Sequence, residues 1–141
     1  MLKDKVTIVT GACRGFGFEI SKEFAERGAA VIMCSRIRAS ADKSASQIKA
    51  KTYPEGRDVR ISDSLAEFAH HMTKRHEHID ILVNNADYPF DRKIWNKRFH
   101  EVAEEDFERV IEAHLKRTYK PWQALIPLMI KKMAAAAEAE E

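Results

Sequence analysis

Thr10-Gly11-Ala12-Cys13-Arg14-Gly15-Phe16-Gly17 joins two segments of opposite periodicity. Before it, Val6–Thr10 (VTIVT) is a continuous β-branched run, the pattern of a strand buried on both faces. After it, Phe16–Arg27 places Phe16, Ile20, Phe24 and Ala25 on one helical face, and Gly28 is positioned to stop that helix. In this setting each glycine has a purpose. Gly11 allows a tight turn off the strand, Gly15 lets backbone approach a phosphate, and Gly17 lets the helix pack closely on the sheet. The free N–H groups at the helix N-terminus carry partial positive charge and suit a pyrophosphate. The same residues also read as an ordinary strand-to-helix turn with helpful glycines, and the motif alone leaves both open.

Outward from the turn, strand and helix patterns alternate. Ala30–Cys34 (AVIMC) is a second buried strand, and Ala39–Lys51 is a polar, Ala-rich helix. Thr52–Ile61 is interrupted by Pro54 and Gly56, with a strand expected around Arg57–Ile61. Ser62 or Asp63 is expected to cap a helix that runs to about Arg75, with Leu65, Phe68, Ala69 and Met72 as its apolar stripe. Ile79–Val83 is a strand, and Asn84–His100 is a loop containing Pro89. A long helix begins near Glu104 with Phe107, Val110, Ile111, His114 and Leu115 on one face. Pro121 and Pro127 are predicted to kink or divide it. Such alternation implies an α/β protein with a parallel sheet and right-handed crossovers. A length of 141 residues favours one domain, here residues 1–133, followed by an Ala/Glu-rich tail, 134–141. That tail either extends the last helix, frays, or is an artificial addition.

Hydrophobic residues make up 45% and charged residues 33%, as in a soluble globular protein. Lys and Arg number 24 against 22 Asp and Glu, a net charge of +2, which makes no general case for nucleic acid or an anionic membrane. No apolar run approaches the roughly 18 residues of a membrane span. Met1–Lys5 leads straight into a strand-like run without a signal-peptide layout, so a cytoplasmic location is expected. Cys13 and Cys34 suggest neither a disulfide framework nor a zinc site. His70, His71, His76 and His78 cluster near the end of one helix, but no carboxylate or cysteine completes a ligand set, and no metal is expected. Arg92–His100 (RKIWNKRFH) mixes basic and aromatic residues, a pattern that binds single-stranded nucleic acid elsewhere. A substrate-side loop or an interface is the simpler reading, and nucleic acid is not expected.

Two motifs together resemble one family. Thr10–Gly17 is similar to the Thr-Gly-x-x-x-Gly-x-Gly that follows the first strand of short-chain dehydrogenases/reductases. Asn84-Asn85-Ala86 resembles the Asn-Asn-Ala-Gly that ends their fourth strand, and the separation of the two motifs is like the family's. Pro127-Leu128-Met129 looks like the family's Pro-x-Met near the end of the following helix. The resemblance covers residues 3 to about 133 and implies a Rossmann-type, three-layer α/β fold. Its parallel sheet would be truncated to about four strands, ordered 3-2-1-4.

The resemblance also implies a nicotinamide dinucleotide. The end of the second strand meets the adenosine ribose in such folds, and an acidic residue there suits NAD. Here it reads Cys34-Ser35-Arg36-Ile37-Arg38. Arg36 can stack on adenine or hold a 2′-phosphate in a forked contact, and Arg14 can reach the same phosphate. Basic residues at these places favour NADP in the family; two solvated surface arginines are the plainer reading. Asp58-Val59 looks like the family's Asp-Val after the third strand, whose Asp touches the adenine amino group. Asn84 is expected to brace the neighbouring strand, while Asn85 and Ala86 line the ribose side, with Asp87 where the family has glycine. The candidate cofactor residues are therefore Gly11, Arg14, Gly15, Phe16, Gly17, Ser35, Arg36, Asp58, Val59, Asn85 and Ala86.

Catalysis in the family needs a Ser and a Tyr-x-x-x-Lys beyond the fifth strand, and this chain ends before that strand. Its tyrosines, Tyr53, Tyr88 and Tyr119, have no lysine four residues on, and Lys120 directly after Tyr119 is wrongly spaced for a shared helix face. His114 stands where the family has a structural Asn, and is either a proton-relay candidate or a half-buried helix residue. The expectation is an oxidoreductase by resemblance that lacks the usual acid. The alternative is a non-catalytic nucleotide-binding or oligomerising module. Without a fifth strand, Ile79–Asn84 would be an exposed apolar edge, so a homodimer or larger oligomer is expected through that edge, the long helix, or both.

Overall fold

Val6–Thr10 becomes β1, with neighbours on both sides. The structure is a computed structural model that describes residues 2–58, 61–76, 78–86 and 96–138, with side chains except at 62, 113, 117 and 131–138. β1 pairs in parallel with β2 (Ala30–Ser35), from Val6 opposite Ala30 to Thr10 opposite Cys34. Its other edge pairs with β4 (Ile81–Val83), and β3 (Thr52–Gly56) adds outside β2, so the order is β3-β2-β1-β4. The crossovers are α1 (Gly15–Glu26), α2 (Arg38–Ala45) and α3 (Ser62–Arg75).

Strand side chains alternate between faces, which explains why β1 and β2 read as unbroken apolar runs. Val9, Val31 and Met33 pack with Ala12, Ala25, Ala29, Ala45 and Ile48 on one face. Ile8, Ile32 and Cys34 pack on the other with Phe68, Met72, Ile79 and Leu125. Each large side chain buried this way contributes about 1.5–3 kcal/mol. α1 lies close to the sheet because its inward positions are small: Gly17, Ser21 and Ala25. The buried Ser21 hydroxyl is satisfied by the Gly17 carbonyl at 2.6 Å. Phe18, Ile20 and Phe24 flank that face. Phe16, expected in the stripe, is instead 82% exposed at the start of the helix.

Four other expectations are corrected. The third strand is Thr52–Gly56 rather than Arg57–Ile61, and Pro54 lies inside it. This is tolerated because β3 is an edge, where half the backbone donors have no strand to meet. α2 stops at Ala45 instead of Lys51, and the chain turns so that Ile48 enters the core. The N-cap of α3 is Ile61, which cannot cap with its side chain; Ser62 is already helical. Pro121 and Pro127 do not divide the long helix. It comprises α4 (Glu104–Ile111), a π-turn at Glu112–Lys116, and α5 (Arg117–Glu138), which takes in part of the Ala/Glu tail. The widened turn ends at Lys116, and the helix resumes at Arg117, four residues before Pro121, where the proline ring would otherwise crowd a carbonyl.

The histidines after α3 and within it make separate contacts along the sheet, His78 at its amino end and His71 at its carboxyl end. His78 Nε2 lies 3.1 Å from Asp80, which also binds Lys5 at 3.1 Å and accepts the Val6 N–H at 2.9 Å. Buried Glu55 faces Arg75 at 3.4 Å and His71 at 3.6 Å, both from α3. His76 meets the Tyr53 ring edge-on at 5.8 Å. Burial, then the charges of Arg75, His78 and His71, hold the His76 imidazole below its ordinary range. His70 is exposed. Among the described residues no group of His, Cys, Asp or Glu is arranged to hold a metal. No described helix is long and apolar enough to cross a membrane.

Candidate functional site

The carboxyl end of the sheet gathers the glycine-rich turn, the β2–α2 loop, the residues after β3, and Asn84–Ala86 after β4. In open α/β sheets this end is where ligands bind. Gly11 and Gly15 adopt φ of +65° and +56°, in the left-handed region that an L side chain resists. A Cβ on Gly11 would lie 2.9 Å from Ala86 Cα, so the glycine is what lets the β4 loop close over the turn. Gly15 is different: nothing lies within 4 Å of where its Cβ would be, and its backbone faces open space. α1 begins there without a side-chain cap, since Arg14 at the N-cap position makes no such bond. First-turn N–H groups have no partner inside a helix, so this end offers donors and partial positive charge. The residues fit a pyrophosphate: open backbone, uncapped donors, and no acidic side chain in the first turn.

Thr10 organises the opposite wall. Its buried hydroxyl accepts the N–H groups of Asn85 and Ala86, each at 3.0 Å, and donates to the Val83 carbonyl at 3.3 Å. Asn85 Nδ2 donates to the carbonyls of Thr10 at 3.1 Å and Gly11 at 3.3 Å. Bracing, expected of Asn84, is thus done by Asn85. The Asn84 Oδ1 atom is buried without a hydrogen-bond partner among the described residues. Ala86 sits against Gly11.

At the end of β2, Ser35 is half-buried, and its Oγ accepts the Ile37 N–H at 3.4 Å. Arg36 and Arg14 are exposed, with no ion pair among the described residues, whereas Arg38 is held by Asp42 at 3.0 Å. Asp58 lies two residues beyond β3, and its carbonyl accepts the Ile61 N–H at 3.1 Å. Val59 and Asp87 lie outside the described residues. Cys34 points into the α3-side cluster, and burial, reinforced by Glu55, pushes its thiol far above the ordinary range. Cys13 is half-buried in the turn. His114 is exposed in the π-turn, away from this end of the sheet in sequence and element, and its carbonyl accepts the Thr118 hydroxyl at 2.9 Å. Sequence reasoning missed the role of Thr10 and the contacts of Ser44 with Cys13 and of Gly56 with Arg38. Only the Thr-Gly pairing in the motif hinted at the first.

A parallel sheet ordered 3-2-1-4 with an uncapped helix at a glycine-rich first turn defines a Rossmann-type α/β protein. The chain belongs to the short chain dehydrogenase family, whose sequence profile matches residues 5–136. It is 32% identical over 133 residues to a 3-oxoacyl-acyl-carrier-protein reductase of Thermotoga maritima, covering 92% of this chain and 52% of that protein. It is 31% identical over 129 residues to an NADPH-dependent pterin aldehyde reductase of Arabidopsis thaliana, covering 89% of this chain and 51% of that protein. Among solved structures it superposes with a TM-score of 0.79 on a metagenomic short-chain oxidoreductase in complex with NADP, 27% identical, covering 92% of this chain and 59% of the other. A 3-ketoacyl-(acyl-carrier-protein) reductase from Brucella melitensis complexed with NADH gives 0.78 at 28% identity, covering 91% and 51%. The chain therefore spans about half the length of the curated relatives it matches.

Proposed function

We propose that this chain is the dinucleotide-holding part of an oxidoreductase and prefers NADP(H) to NAD(H), with residues 1–133 acting as the binding unit. The observation that carries the preference is at the end of β2. Arg36 and Arg14 are exposed with no carboxylate paired to them among the described residues, and no acidic residue stands where a ribose diol would be bound. The NADP complex of one structural relative and the NADPH dependence of another agree with this, and the NADH complex of a third marks the competing choice.

Gly15 and the first-turn N–H groups of α1 would hold the pyrophosphate, with Phe16 and Gly17 completing that turn. Ser35 and Arg36 would hold the adenosine ribose and its 2′-phosphate, joined by Arg14. Asp58 would face the adenine, and Asn85 and Ala86 would form the wall on the ribose side; Val59, grouped with them from the sequence, lies outside the described residues. The bound nicotinamide supplies hydride exchange with a carbonyl or alcohol carbon. These residues bind and orient; none of them is a proton donor of the Tyr-x-x-x-Lys kind, and no such motif occurs in the 141 residues. His114 is the proton-relay candidate read from the sequence.

Titration with NADPH and NADH on wild type and Arg36→Ala tests the reading. A charge-assisted contact contributes about 1.5–3 kcal/mol, so Arg36→Ala should weaken NADPH at least about tenfold and leave NADH nearly unchanged. Equal affinities for both dinucleotides in the wild type would overturn the preference.

A second reading, an oligomerising module, is favoured by the long helix. Phe107, Ile111, Leu115, Tyr119, Trp122, Ile126 and Ile130 recur every three or four residues through α4, the π-turn and α5, and all are exposed, Leu115 by 63%. An apolar row of this length is uncommon on a monomer. We infer a homodimer, or a larger homo-oligomer, through this face and the half-exposed β4 edge, in the cytoplasm, where free thiols persist. Sedimentation at micromolar concentration reads it, and a monomer throughout would remove the idea.

A further inference from the structure

The two arginines lie on different loops, yet both loops are pinned from behind. The end of β3 presses on the start of α2: a Cβ on Gly56 would lie 2.8 Å from Arg38 Cβ, 3.1 Å from Arg38 Cα and 3.2 Å from Arg38 N. The next residue, Arg57, donates its N–H to the Ser35 carbonyl at 2.7 Å. The backbone is thus held on both sides of Arg36, at Ser35 and at Arg38. From α2, the buried Ser44 hydroxyl reaches back across the chain and donates to the Cys13 carbonyl at 2.9 Å, directly before Arg14. The Ala12 N–H donates to the Cys34 carbonyl at 3.1 Å, tying the same two segments together one step deeper.

These contacts form a chain: β3 sets the β2–α2 loop, and α2 sets the glycine-rich turn. We propose that Gly56 and Ser44 are positioning residues for dinucleotide discrimination, holding the backbones that carry Arg36 and Arg14 in fixed register. The inference rests on the NADP(H) reading above. Neither residue lies in a segment expected to touch the pyrophosphate. Gly56 acts by having no side chain. An added methyl group meets backbone as well as side chain of Arg38, so the loop must move outward. Ser44 acts through one hydrogen bond on a residue otherwise packed in the α2-side layer.

The test is calorimetric titration of NADPH and NADH on wild type, Arg36→Ala, Gly56→Ala and Ser44→Ala, with a thermal melt of each. Gly56→Ala is expected to weaken NADPH about tenfold and NADH by less than about twofold, and Ser44→Ala to weaken NADPH about threefold, the effect of one neutral hydrogen bond. A purely structural role would lower the two affinities together, in step with melting temperature. An unchanged NADPH-to-NADH ratio in both variants, with Arg36→Ala reducing it, would overturn this proposal and leave the cofactor reading standing. A wild type without preference, or one that Arg36→Ala does not alter, would overturn both. If Gly56→Ala does not fold, the ratio in Ser44→Ala decides alone.

Discussion

Replacing Gly17 by alanine is expected to destabilise the protein by about 3 kcal/mol, some 10 °C in melting temperature for a chain this size. The added Cβ would overlap the Asn85 amide nitrogen and the Gly11 carbonyl oxygen and would lie 3.0 Å from the Gly11 carbonyl carbon. Neither neighbour yields cheaply. Asn85 can swing away only by giving up its bonds to the Thr10 and Gly11 carbonyls, each contributing about 1 kcal/mol. Gly11 is backbone in a left-handed turn already seated against Ala86. The gain in helix propensity from Gly to Ala, about 1 kcal/mol, offsets only part of this. Gly15→Ala is the comparison: its Cβ would meet nothing, so only left-handed strain of about 1–2 kcal/mol remains. Urea denaturation of both variants checks the claim, and a Gly17→Ala protein as stable as Gly15→Ala would sink it.

Thr10→Val should cost about 2–3 kcal/mol although the side-chain volume is conserved. The hydroxyl accepts from both Asn85 N and Ala86 N at 3.0 Å in a nearly inaccessible place. Valine leaves two backbone donors without an acceptor, each at about 1–3 kcal/mol, moderated by their partial access to water. The Val83 carbonyl also loses its partner. Because Ala86 lies against Gly11, the wall of the cradle loosens, and dinucleotide affinity should fall with stability. Thr10→Ser retains the hydroxyl and should cost only about 1 kcal/mol for the lost methyl. Amide exchange at Asn85 and Ala86 separates the two variants; equal protection in both would show that the hydroxyl is not the anchor.

Much of the scaffold was legible in the chain. β1 and β2 were readable because strands buried on both faces show continuous β-branched runs, and Gly11, Gly15 and Gly17 were readable because a turn from strand to helix needs them. β3 was not, because Pro54 and Gly56 are strand breakers anywhere except an edge, and edge position is a property of the whole sheet. The Ile61 cap was missed because Ser62 and Asp63 offer better caps locally. The π-turn left no signal beyond the prolines that follow it.

From the residues alone follow a parallel α/β fold, a glycine-rich turn opening a helix, basic rather than acidic residues after β2, and 141 residues without a Tyr-x-x-x-Lys. These depend on local periodicity and on single residue types. Which asparagine braces the turn, which hydroxyl anchors the wall, and which glycine supports the arginine loop depend on pairings between residues far apart in sequence. Asn85 and Thr10 are 75 residues apart and meet only because β4 aligns Val83 with Val9. Strand side chains alternate with a period of two, so a slip of one residue would exchange Asn84 for Asn85 at the turn. That register is set by burying Ile8, Ile32 and Ile79 together on one face, an energy of the assembled sheet that no short segment carries.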